Sequence, residues 1–219
     1  STTNQITARI TNGDVDAPLG SVSVTASDTS GITADVTSAA ASVAASGSAA
    51  VSFAIAVTLA ENSIGGTTIA SIDPSTVDAG GTVTVSATAD NTIDALAAAI
   101  GVSVGGSGSF ALSGAGSGAS ATNATTNTVE ASILDSTVNA GGAVLVTATD
   151  TSQITADNAA VSASVSGSGS AAISLAVAIS LAENSIGGAT LATIGNSTVD
   201  AGGSVSVLAE GIHSGNDLV

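Results

Sequence analysis

Hydrophobic and polar positions alternate with a period of two along most of the chain. In the stretch from 93 to 104, Ile93 and a run of alanines fall on one side, and Leu96, Ile100 and Val102 fall on the other. Apart from Asp94, neither side carries a charge. This pattern predicts long β-strands that are buried on both sides. Ser-Gly-Ser clusters at 46–48 and near 105–109 and 167–170 predict the turns that join them.

The same pattern returns every 61 residues. Ala-Gly-Gly occurs at 79–81, 140–142 and 201–203, and a degenerate copy lies at Ala17–Gly20. Such a fixed period is the signature of a repeat protein. We therefore expect one repetitive β domain over residues 1–219, with about 3.6 units whose boundaries lie near 20, 81, 142 and 203. Because the chain begins and ends inside a unit, a segment of a longer array is one interpretation.

The predicted fold class is all-β, and two architectures fit. The first is a β-solenoid, or β-helix, with about three coils of about 20 residues per unit, which would make a rod about 50 Å long. The alternative is a stack of long antiparallel β-hairpins with strands of about 15 residues. The run 72–87 is similar to one coil of a β-helix, which favours the solenoid.

The units differ from one another in one strand. The first and third units carry large apolar residues on one side of it, whereas the second carries glycines there, which predicts that bulky rows pack against a glycine groove. The groove's partner is either the same chain or another copy, and simple drift between repeats is the competing explanation. This predicted packing face consists of Val51, Phe53, Ile55, Val57 and Leu59; Gly114, Gly116 and Gly118; and Ile173, Leu175, Val177, Ile179 and Leu181.

Charge and composition exclude several functions. Lys plus Arg number 1 against 17 for Asp plus Glu, so the net charge is −16 and nucleic-acid binding is excluded. The chain has no cysteine and a single histidine, His213, which leaves no thiolate or multi-histidine metal site. The most apolar runs, 49–60 and 171–182, are too short to cross a membrane as helices. No catalytic motif surrounds any serine, so we expect no enzyme.

Two sets of polar residues are candidate sites. Carboxylate and amide oxygens in turns can bind Ca²⁺, and Asp14, Asp16, Asp78, Asn139 and Asp200 are the candidates. The alternative is that these side chains only form turns by bonding their own backbone. Asn62, Asn123 and Asn184 recur at the repeat period and predict an inward amide ladder between stacked strands. We expect no required cofactor beyond this optional calcium.

The pattern A-x-I-x-x-S-x-V-x-A-G-G-x-V-x-V-x-A at Ala70–Ala87 recurs at Ala131–Ala148 and Ala192–Ala209. It resembles the repeats of giant bacterial surface proteins, the filamentous-haemagglutinin-like and β-strand-repeat adhesins. The resemblance extends over nearly the whole chain and implies a secreted, extended β-helical stalk used for adhesion or as biofilm matrix. It supplies no catalytic residues.

The lack of guarded strand edges predicts self-assembly. Soluble β proteins blunt their edges with Lys, other charges or Pro, but this chain has one Lys/Arg and two prolines. The expected function is that of an extracellular structural subunit that polymerises with copies of itself into a fibre or sheath. The alternative is a monomeric solenoid stalk of a large adhesin. Further expected partners are the cell surface or a polysaccharide.

Overall fold

The computed structural model describes residues 1–218, which form strands and turns and contain no helix. Sixteen strands follow one another within these residues. They are β1 (Thr2–Ile10), β2 (Asp14–Ala17), β3 (Val22–Asp28), β4 (Gly31–Ser46), β5 (Ala49–Ile72), β6 (Thr76–Ala79), β7 (Val83–Ala89), β8 (Thr92–Ser107), β9 (Phe110–Leu134), β10 (Thr137–Ala140), β11 (Val144–Asp150), β12 (Gln153–Ser168), β13 (Ala171–Gly195), β14 (Thr198–Ala201), β15 (Val205–Gly211) and β16 (Ser214–Leu218).

Every fourth strand pairs with its equivalent in the next unit. This gives four parallel sheets: the long sheet (β1, β5, β9, β13), the short sheet (β2, β6, β10, β14), the middle sheet (β3, β7, β11, β15) and the tail sheet (β4, β8, β12, β16). Most pairs join residues 61 positions apart, as Ala49 with Phe110 and Ile93 with Ile154 do. The fold is therefore a repetitive β-solenoid, and the predicted all-β class is confirmed.

Two expectations about the coils are wrong. One 61-residue unit makes one coil of four strands, and not three coils of about 20 residues. The strands joined by the Ser-Gly-Ser turns do not pair as antiparallel hairpins within residues 1–218, because β8 and β9 belong to different sheets that face each other. From β1 to β13 the stack therefore rises only about 14 Å, whereas β9 alone has a contour length of about 80 Å.

The coil has a head and a tail. The head is enclosed by the short sheet, the middle sheet and the second half of the long sheet. Its core consists of branched apolar side chains such as Ile72, Val85 and Val146, all fully buried. In the tail, the first half of the long sheet lies face to face with the tail sheet.

The tail core is built from alanine, serine and glycine, which lets its two sheets approach very closely. A Cβ atom at Gly101 of β8 would collide with the carbonyl oxygen of Gly116 of β9. Hydroxyl groups bridge the sheets directly: Thr58 donates to the carbonyl oxygen of Ala98 at 2.8 Å, and Ser103 donates to that of Ser52 at 2.9 Å. Larger side chains would push the sheets toward their usual separation of about 10 Å.

Glycine also sets the corner of the Ala-Gly-Gly turns, which stack directly on one another. A Cβ at Gly141 would collide with the carbonyl oxygen of Gly80, and one at Gly202 would collide with that of Gly141. The Gly141 amide donates to the carbonyl oxygen of Ala79 in the coil below at 2.7 Å. The turn motif recurs because each copy rests on the backbone of the previous one.

The tail strands are buried on one side only, so the expected burial on both sides is wrong. Ile93, Ala97 and Ala99 face the tail core and are fully buried, whereas Leu96 and Ile100 on the other side are 38% and 43% exposed. The sequence pattern misled because alanine and valine are compatible with either environment.

We predict that Gly101→Ala destabilises the tail, because the added methyl group has to separate two sheets in contact. The expected loss is about 1–3 kcal/mol, typical of overpacking. It would be measured as a lower midpoint of chemical unfolding followed by circular dichroism. Gly106→Ala is the matched control, since a Cβ at that position meets no atom within 4 Å. An equal effect of both substitutions would contradict the close approach at Gly101.

Candidate functional site: the outer faces of the tail

Three asparagines form a continuous amide ladder where the tail meets the head. Asn62 Nδ2 donates to Asn123 Oδ1 at 2.8 Å, and Asn123 Nδ2 donates to Asn184 Oδ1 at 2.9 Å. Asn123 is buried, and the strands hold the three residues in register at the 61-residue spacing. The arrangement is a stabilising column, since each inner amide both donates to one neighbour and accepts from another.

A buried polar cluster lies at the corner between the middle and tail sheets. Asn127 Nδ2 donates to Ser152 Oγ at 3.0 Å, Ser152 Oγ donates to Asp150 Oδ1 at 2.5 Å, and His213 Nε2 lies 3.5 Å from Asp150 Oδ2. A serine nucleophile needs the histidine as its base, but here the hydroxyl of Ser152 bonds the carboxylate and is fully buried. The cluster therefore satisfies a buried carboxylate and offers no exposed nucleophile.

The predicted calcium ligands lie on strands, which corrects their expected place in turns. Asp16, Asp78, Asn139 and Asp200 occupy the third position of the four short-sheet strands and form one column on the outer side of that sheet, in which Asp78 is half-buried and the other three are exposed. Asn139 Nδ2 donates to Asp78 Oδ1 at 2.6 Å and separates that carboxylate from Asp200. Asp14 lies beside this column, in register with three threonines. Among the described side chains, no group of three or more His, Cys, Asp or Glu is arranged to hold a metal ion.

The predicted packing face forms the outer surface of the long sheet in the tail. Its two bulky rows lie on β5 and β13, with side chains 48% to 74% exposed, and the glycines of β9 lie between them. We call this strip between the rows the glycine groove; its floor is Gly114, Gly116, Gly118 and Ser120. The Phe53 ring leans over Gly114, whereas a Cβ at Gly118 would meet no atom within 4 Å. The groove is therefore closed at one end by its own chain and open along the rest.

On the outer surface of the tail sheet, the largest side chains project from the middle strand and not from the flanking strands. Leu96, Ile100 and Val102 of β8 project between smaller or charged residues of the flanking strands. We call these three residues the tail ridge. Their neighbours are Asp35, Ala39 and Ala41 on β4 and Asp157, Val161 and Ala163 on β12. The sequence pattern assigned the ridge to a buried side. The residues 61 positions from Leu96, Asp35 and Asp157, are charged, and they indicate that this side faces outward.

Both outer faces of the tail are apolar and end at acidic residues. On the long sheet the rows stop at Glu61 and Glu183, and on the tail sheet Asp35 and Asp157 flank Leu96. Between these carboxylates and the tip of the tail, neither face offers an ionisable group. Such surfaces can exclude water against another apolar surface.

Comparisons with protein-family models, with curated proteins and with solved structures found no match. Within residues 1–218, no helix is long and apolar enough to span a membrane.

We predict that Asn123→Ala lowers the free energy of unfolding by about 1–3 kcal/mol, because it removes its hydrogen bonds to the buried amide of Asn62 and to the half-buried amide of Asn184. Chemical unfolding would measure the change. Asn139→Ala removes an exposed amide from the same coil and should change stability by less than about 0.5 kcal/mol. Similar losses for both variants would count against a stabilising ladder.

Proposed function

We propose that the protein is an extracellular structural subunit that assembles with copies of itself into a fibre or sheath. The observation that carries this proposal is the exposure of ten large apolar side chains in two parallel rows on the tail. Contiguous apolar patches of a few hundred Å² on a protein surface often mark interaction sites. Rows about 30 Å long over three coils give about 450 Å² on the long sheet alone, and the tail sheet adds a second apolar face.

The composition supports an extracellular location. The chain has no cysteine to oxidise, and its charge of −16 keeps an otherwise apolar assembly dispersed. The resemblance of the repeat to adhesin repeats points the same way. Copies of the chain are the proposed partners, with a cell surface or polysaccharide as the support.

A monomeric adhesin stalk is the second candidate, and the in-register coil favours it. Each coil contacts only its neighbours, so an array of any length folds by the same rule. A stalk requires no lateral contact between copies, whereas a fibre or sheath does. Self-association at rising concentration therefore separates the two functions.

We predict that Ile55→Lys with Ile179→Lys prevents self-association and leaves the fold intact. Both side chains project outward and are 74% and 64% exposed, so a charge is tolerated in the monomer but has to be desolvated in an apolar contact. Sedimentation velocity over a concentration series and electron microscopy would measure assembly, and circular dichroism would monitor the fold.

The matched control places two lysines on another outer face. Ser27→Lys with Ser206→Lys makes the same change in charge on the exposed side of the middle sheet and should assemble as the parent does. A parent chain that remains monomeric at every concentration would refute the fibre proposal and leave the stalk as the better function.

Calcium remains part of the proposal as a factor that strengthens assembly. With 17 acidic residues and one Lys/Arg, copies repel one another unless cations screen them. We predict stronger assembly in Ca²⁺ than in EDTA at matched ionic strength. The pair Asp78→Asn and Asp200→Asn should remove that difference if the short-sheet column binds the ion, and should preserve it if calcium only screens charge.

A further inference from the structure

We infer that the tail ridge of one copy docks in the glycine groove of the next copy. The inference rests on the proposed function and specifies how the copies meet. It is supported by the relief of the two outer faces of the tail. The long sheet presents bulky, bare and bulky strands, whereas the tail sheet carries its largest outward side chains, Leu96 and Ile100, on the middle strand β8, with alanines and exposed valines such as Val161 on the flanking strands.

The groove has room for a large side chain. Added Cβ atoms at Gly116 and Gly118 would contact no neighbour closer than 3.8 Å, so the floor is bare, while Ile55, Val57 and Ile179 form its walls. The Phe53 ring over Gly114 closes the end nearest the tip. A residue that enters beside Phe53 is therefore surrounded by apolar atoms on three sides and at one end.

The ridge lies at the matching position along the tail. Because Gly101 faces Gly116 through the tail core, the neighbouring Ile100 lies level with the step between Gly116 and Gly118. A neighbour that is translated across the tail, perpendicular to its sheets, thus brings Ile100 over the open part of the groove. By the same register, Val102 reaches the Phe53 ring.

The two sheets are also staggered along the solenoid axis. Each long-sheet strand contacts two successive tail-sheet strands, as β9 contacts β8 and β12, so it lies between them in height. An axial shift of about half a coil, about 2.4 Å, therefore aligns the β8 ridge of one copy with the β9 groove of the next. The same translation applies to every further copy, so the contact is heterologous and builds an open stack of flat subunits.

Contact between two identical faces fits less well. Two long-sheet faces whose axes point the same way would set bulky row against bulky row. With opposed axes, a shift of one whole coil is needed, which leaves part of each face uncovered. The ridge-in-groove contact covers all three strands of both faces and buries about 900 Å² in total. This is below the area of a standard stable interface, so each contact is weak and the stack requires a high concentration of the protein.

Carboxylates mark the edge of this contact nearest the head. Asp35 and Asp157 of one copy come close to Glu61 and Glu183 of the other, since these residues end the apolar rows at the same level of the tail. Like charges that meet at the rim oppose docking. Docking should therefore strengthen with ionic strength, which is the reverse of what a contact held by opposite charges would show.

Cysteine trapping tests the contact without background, because the chain contains no cysteine. Ile100→Cys and Gly118→Cys, prepared as separate single variants and mixed under oxidation, should form a disulfide-linked heterodimer. The double variant should form a ladder of covalent oligomers, because its two cysteines lie on opposite outer faces of one tail. Ser27→Cys on the middle sheet replaces Ile100→Cys as the control and should not cross-link to Gly118→Cys.

A blocking variant gives an independent readout. Gly118→Val fills the groove where the structure leaves space and should raise the concentration needed for assembly by about tenfold or more. Gly187→Val, on the same side of the long sheet but beyond the apolar rows, also meets open space and should assemble as the parent does. Unfolding curves verify that both variants fold.

The outcomes separate this inference from the proposed function. Association of the parent together with disulfides between two Gly118→Cys copies, or between two Ile100→Cys copies, would overturn the ridge-in-groove contact and leave self-assembly standing. Unchanged assembly of Gly118→Val would overturn it as well. A parent chain that never associates would instead refute the proposed function, and the inference with it.

Discussion

The structure depends on one constraint: each residue stacks on its equivalent in the next coil, about 4.8 Å away. Every position therefore interacts with a copy of itself or with its replacement. Asparagine gains from this arrangement, since the amides of Asn62 and Asn123 bond each other. Glycine at the Ala-Gly-Gly turn also gains, because only a bare backbone permits Gly141 to rest on Gly80. Each residue type in the unit therefore has to be compatible with the equivalent residue of the next coil.

Acidic residues are harmed by the same constraint, and most of their columns avoid direct stacking. Glu61 and Glu183 are separated by Thr122, Asp35 and Asp157 by Leu96, and Asp28 and Asp150 by Ala89. Placing a carboxylate in every second coil doubles the separation to about 10 Å, near the screening length of physiological salt. Asp16 and Asp78 are an exception, in adjacent coils of the exposed short sheet. Most carboxylates and the large apolar side chains of the long sheet thus recur in every second coil.

The features that follow from the repeat period could be predicted from the sequence. The features that depend on which strands lie next to each other could not. The 61-residue register, the parity of inward and outward positions and the column of Asn62, Asn123 and Asn184 could all be read from spacing. The number of coils per unit could not, because alternation shows which way a side chain points but not which strand lies beside it. The outward position of Ile100 was missed since the tail excludes water with alanine and glycine, residues that do not distinguish a core from a surface. Asp78 was expected in the turn, but it lies on the short strand β6, which ends just before the turn glycines.

Strands with bulky or acidic side chains alternate with strands that lack them, and this alternation limits how such a chain can change its length. Recombination between similar repeats adds or removes whole units, and the solenoid accepts any number of coils. Gain or loss of a single unit, however, would place two bulky strands or two carboxylate-bearing strands side by side. Exchange by pairs of units preserves every neighbour. A pair of coils, 122 residues long, is therefore the smallest segment whose gain or loss keeps this alternation, although the architecture repeats with every single coil.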